Sequence, residues 1–212
     1  MDMRRALMCG PAAFLWFFAW TVLLDVLRPE YYFAHKAVSE LGALGAPYMW
    51  AMNLFGFVGT GAMLMLFARG YRAALGDAAR VSAAALLLVG LCIALAAVPI
   101  AMAPDGDPDW GAPITRVHVL FTQLGLLPWA LALFAIMRRH RDPAFRGLAL
   151  ISLLALLAFL GVIVLFGMGV GSGVPGLMQR LWFAVLLGWF AVAGLWLAAK
   201  PQSASSAAGR PA

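Results

Sequence analysis

Six long apolar runs alternate with short polar breaks along the chain, at roughly 9–27, 48–68, 81–103, 115–137, 148–170 and 177–199. Each is close to the ~20 residues that an α-helix needs to cross a hydrocarbon core of ~30 Å. The pattern predicts an all-α fold, a polytopic membrane bundle of six transmembrane helices, with residues 1–200 forming one domain. The segment after Lys200 is rich in Ser, Ala, Pro and Gly. It carries too little apolar area to order itself, so 201–212 is predicted to be a disordered tail. No repeat of 20–50 residues stands out beyond the helical hairpins themselves.

Composition sharpens this picture. Hydrophobic residues make up 64% of the 212-residue chain and charged residues 11%, which excludes an ordinary water-soluble domain and leaves no length for a separate one. The formal charge of +6 would suit a nucleic-acid binder only if the basic residues shared one polar surface, and they do not. They follow the loops instead. Arg4, Arg5, Arg69, Arg72, Arg80, Arg138, Arg139, Arg141, Arg146, Lys200 and Arg210 fall on one side, and Arg28, Lys36, Arg116 and Arg180 on the other. Because Lys and Arg are retained in the cytoplasm, the pattern predicts both termini inside, in a cell inner membrane, with membrane lipids as partners and no nucleic acid. Cys9 and Cys92 have no CxxC spacing and read as small apolar residues. Oligomeric state is not legible.

Chemistry concentrates at the predicted outer side. A short interfacial helix over 31–41 would stack His35 on Ser39 and Lys36 on Glu40 at i, i+4, beside an aromatic belt of Tyr31, Tyr32, Phe33, Tyr48 and Trp50. The loop from Pro99 to Arg116 carries Asp105, Asp107 and Asp109 and leads into Thr115, His118 and Thr122, which share a face of the fourth helix. Asn53 lies one turn inside the second helix, Gln179 and Arg180 open the sixth, and Asp25 ends the first. Polar groups in spans usually face the bundle interior. Gly56, Gly59 and Gly61 suit close helix packing, and Pro99 and Pro128 suit kinks or boundaries.

Taken together, His35 with Ser39-Glu40-Leu41-Gly42-Ala43, Asn53 with glycines after it, Pro104-Asp105 before His118, and Gln179-Arg180 at the last helix resemble a known family. This is the set of six-helix bacterial and archaeal membrane proteins catalogued as domain of unknown function 998. The resemblance spans the membrane portion and implies fold and location, with no established activity. The family pattern has Glu-Arg where this chain has Gln179-Arg180, a departure that removes a carboxylate.

Two functions remain open. In a membrane-embedded lipid hydrolase, loosely similar to the alkaline ceramidase and progestin-receptor superfamily, Ser39 and His118 are the candidate catalytic residues. A divalent metal such as zinc would sit on His35, His118 and Asp105, or Asp107 in its place, and activate water. In a structural or lipid-binding protein, Glu40, Asn53, Arg116, Gln179 and Arg180 form a binding or bracing network, with Asp25 paired to Arg28 and Lys36 to Glu40. The second reading needs fewer convergent residues.

Overall fold

A computed structural model describes residues 1–28 and 31–200. Glu30, Arg210 and the predicted tail 201–212 lie outside the described residues, apart from which the chain is helical with no strand beyond an isolated bridge between Met102 and Pro108. The helices are α1 (Met3–Leu27), α2 (Met49–Ala51), α3 (Thr60–Leu75), α4 (Arg80–Leu95), α5 (Pro113–Leu124), α6 (Leu126–Met137), α7 (Arg146–Gly167) and α8 (Pro175–Ala198). A π-helical stretch, Met52–Gly59, joins α2 to α3 without interruption.

Five stretches are long and apolar enough to cross a membrane: Met3–Leu27, Met49–Leu95, Pro113–Met137, Arg146–Gly167 and Pro175–Ala198. The second is 47 residues long. Straight, it would measure about 70 Å, more than twice a hydrocarbon core. It instead turns back at Gly76, whose φ of 64° suits glycine alone, and α4 packs along α3. The contact there is tight. A Cβ on Gly90 would stand 2.7 Å from the Gly61 carbonyl oxygen, so both positions need glycine for the backbones to approach.

The rods close a ring in chain order: α1 packs on α3, α3 on α4, α4 on α6, α6 on α7, α7 on α8, and α8 back on α1. Neighbours run antiparallel, as Gly10 against Phe190 and Asp25 against Arg180 show for α1 and α8. The near end of the ring therefore carries Met3, Ala198 and the basic turns around Arg72 and Arg139, and the far end carries the 31–48, 96–112 and 168–174 connections. A buried core of Phe17, Phe57, Phe67, Trp129, Trp189 and Phe190 fills the ring.

Three local expectations change. The 31–41 stretch is not one helix: Ala37 is extended (φ −68°, ψ 149°), and only Val38–Gly42 is helical, as a 3₁₀ turn. The Glu40 carboxylate accepts the Ala37 N–H at 2.7 Å, which holds that break in place. The fourth apolar run is split at Gly125, since Pro128 has no N–H for the Leu124 carbonyl. The third run ends at Leu95 rather than 103, so Pro99 lies beyond the helix boundary.

Candidate functional site

Two polar groupings occupy the far end, and they differ in how their hydrogen bonds are used. The first is centred on Arg180. Its Nη2 donates to both Asp25 carboxylate oxygens, at 3.0 and 3.2 Å, and its Nη1 donates to the carbonyls of Phe33 (2.8 Å), Lys36 (3.1 Å) and Gly176 (3.1 Å). The guanidinium also lies over the Tyr31 and Phe33 rings at 5.7 and 5.8 Å. Tyr31 donates its hydroxyl to the carbonyls of Lys36 and Ala37, so the 31–37 turn is tied to the α1–α8 seam. Gly176 is required here, because any Cβ would strike the Lys36 and Phe33 carbonyls. Burial pushes the Tyr31 hydroxyl well above its ordinary range, against the pull of Arg180. The observed partner of Asp25 is thus Arg180, 155 residues away, which the sequence reading had not paired with it.

Outside this seam, Lys36 bridges Glu40 (3.3 Å) and Asp107 (3.2 Å). The Lys36–Glu40 pair is as the sequence spacing suggested. Partial burial acts to lower the Lys36 pKa, but Asp107 and Glu40 outweigh it, so the ammonium is held above its ordinary value. Asn53 donates to the Gly42 carbonyl at 2.9 Å and fixes the end of the 3₁₀ turn against the π-helical stretch. The π geometry there places Asn53 and Phe57 on the buried side.

The second grouping is a cavity of about 60 Å³ lined by Ser39, Phe57, Trp110, His118, Val119, Thr122, Gln179, Trp182 and Phe183. Ser39 and His118 are each about 5% exposed and face the same cavity. His118 Nδ1 lies 2.9 Å from the Val98 carbonyl, so that nitrogen is the donor, and the ring stands edge-on to Phe57. Gln179 accepts the Val38 N–H at 2.6 Å through Oε1, which anchors the 3₁₀ turn to α8. Thr122 is satisfied within its own helix. Below, an apolar gap lined by Ile93, Phe121, Gly125 and Leu186 shares Phe57, Thr122, Trp182 and Phe183 with the cavity. The cavity therefore has a polar rim and an apolar floor.

The sequence-selected residues divide accordingly. Ser39, His118 and Gln179 meet at the cavity, and Arg180, Glu40 and Asn53 brace its walls. His35 is exposed on the 33–36 turn, because the Ala37 break rotates it away from Ser39. Asp105 is exposed in the loop, where it caps the Asp107 N–H, and Arg116 is exposed on α5. Among the described residues no three His, Cys, Asp or Glu side chains gather to hold a metal ion, so His35, His118 and Asp105 stay apart. Phe57, Trp110, Trp182 and Phe183 escaped the sequence reading. The signal for α8 was present, since Gln179, Trp182, Phe183 and Leu186 recur at i, i+3, i+4 and i+7.

A family profile described as "Protein of unknown function (DUF998)" matches residues 11–196. The chain belongs to the DUF998 family. The match covers every helix that lines the cavity, so the DUF998 region and the ring of rods coincide. No curated protein and no solved structure matches the chain.

Proposed function

We propose that this DUF998 protein is an inner-membrane protein that crosses the bilayer six times, with both termini cytoplasmic, and binds lipid in the far-end cavity near the outer leaflet. The six crossings follow if Met49–Leu95 counts as two, as its fold at Gly76 favours. The orientation follows from the basic residues of the near end. The observation that carries the binding role is a cavity with polar groups in its wall that shares Phe57, Thr122, Trp182 and Phe183 with an adjoining apolar gap, a pairing suited to an amphiphile. Filling it should displace the ligand. Lipid extracted from protein purified in mild detergent should contain a component enriched over bulk membrane, and Val119→Trp, which narrows the cavity, should lose it. Equal enrichment in both proteins would sink the reading.

A second reading, hydrolysis of a lipid ester or amide, draws on the shared placement of Ser39 and His118 around one cavity. It requires hydrolytic activity that disappears in both Ser39→Ala and His118→Ala while each variant still purifies as a folded protein. A metal-dependent form would further require zinc or iron in the wild type, measured by elemental mass spectrometry.

A further inference from the structure

The cavity is polar but carries no carboxylate, ammonium or guanidinium. The charges around it are engaged elsewhere: Arg180 by Asp25 and three carbonyls, Lys36 by Glu40 and Asp107. What the lining does offer is uncharged hydrogen-bonding groups, donors on Ser39 and Gln179 beside the His118 ring. The Ser39 hydroxyl and the Gln179 amide nitrogen make no hydrogen bond among the described residues. Both donors are free to bond an occupant that supplies acceptor oxygens. An anionic head would instead enter a site with no facing positive charge.

The ring is loosest on the side of α5 and α7. α5 packs on α4 and α6, but among the described residues no packed face joins it to α7. Four consecutive residues of α7, Ile163, Val164, Leu165 and Phe166, are 45–57% exposed, so the helix is uncovered in every direction there. Nothing lies within 4 Å of a Cβ built on Gly161 or Gly167. The near half of α7 is anchored, with Trp189 donating to Ser152 at 3.0 Å and Phe159 against Trp129.

We infer that the cavity takes the head of an uncharged, carbonyl-bearing lipid, which enters sideways between α5 and the far half of α7 and leaves its tail along α7. This rests on the lipid-binding reading above and names its ligand class. At about 60 Å³ the cavity holds a few waters, enough for a carbonyl group and its neighbours but not for a hydrated phosphate.

The test uses the full chain in lipid nanodiscs with two photoreactive probes, a diacylglycerol and a phosphatidylglycerol, that share one acyl chain bearing a diazirine beside its ester carbonyl, and maps the labelled peptides. The diacylglycerol should label the peptides carrying Trp182 and Val119. Labelling there should fall about five-fold in Ser39→Ala, the size expected for one hydrogen bond. It should fall similarly in Gln179→Glu, which keeps the acceptor for the Val38 N–H and replaces the amide donor. Both variants should keep the wild-type melting temperature, and a purely structural role would not separate labelling from stability. Phosphatidylglycerol labelling of the cavity as strong as that of diacylglycerol would overturn the neutral-head inference and leave the lipid-binding reading standing. Labelling by neither probe at the cavity, with both labelling the rest of the lipid-facing surface, would overturn both.

Discussion

The α1–α8 seam and the α5–α7 side of the same ring are built to opposite specifications. At the seam, backbones touch through Gly10 and Gly194, and the far end is fastened by Arg180 with its carboxylate and three carbonyls. On the α5–α7 side, the helix is interrupted at Gly125, α5 shares no packed face with α7 among the described residues, and α7 keeps its near half packed and its far half bare. The contrast shows how a small bundle can hold a cavity. Rigidity gathered on one side fixes the polar groups, and the other side is left loosely packed.

The largest test of that contrast is Arg180→Ala. It strands Asp25 and the Phe33 and Lys36 carbonyls in a mostly buried position, and loss of a buried ion-pair partner costs about 3–5 kcal/mol. Thermal unfolding in detergent should register a correspondingly large fall, and Arg180→Lys should recover less than half, because lysine lacks the planar fork. An unchanged melting temperature would remove the seam's claim to rigidity. Next comes packing. In Gly194→Val the new side chain meets the Leu7 carbonyl at 2.6 Å and Pro11 at 2.9 Å, and overpacking of this kind costs about 1–3 kcal/mol.

A smaller effect is expected at alkaline pH. Tyr31 and Lys36 are both held above their ordinary values of 10.0 and 10.5. The stability each contributes is therefore complete below those values and is lost as pH rises through the higher folded ones. Protection of the amides over 31–42, corrected for the base catalysis that all amides share, should fall above about pH 10, and Tyr31→Phe should blunt the response. The smallest effect belongs to the open side. Gly161→Ala should cost no stability, because the added methyl meets nothing and alanine favours the helix. A large loss there would mean that the far half of α7 is covered.

Much of the architecture could be read from the chain because a helix in lipid must be apolar over its full length, so the α7 and α8 boundaries fall within three residues of the apolar runs. Kinks and short irregular turns were harder. Pro128 was visible, but whether it bends or ends a helix depends on neighbours, and the 31–41 helix failed because one capping carboxylate outweighed an i, i+4 pattern. At the site, Ser39, His118 and Gln179 stood out as rare polar residues in apolar surroundings. Their aromatic neighbours did not, since in a chain this hydrophobic another Phe or Trp carries no contrast. The Asp25–Arg180 pair joins the first rod to the last, and no local spacing rule reaches that far.

That pair also orders events during synthesis. Asp25 leaves the ribosome 155 residues before Arg180, and at about 5–20 residues per second the gap is roughly ten to thirty seconds. Throughout that interval the first helix holds a carboxylate whose eventual partner has not been made, and the turn at 31–37 lacks the guanidinium that later gathers its carbonyls. The far end is therefore the last part of the molecule to close, and the cavity forms only when the eighth helix arrives.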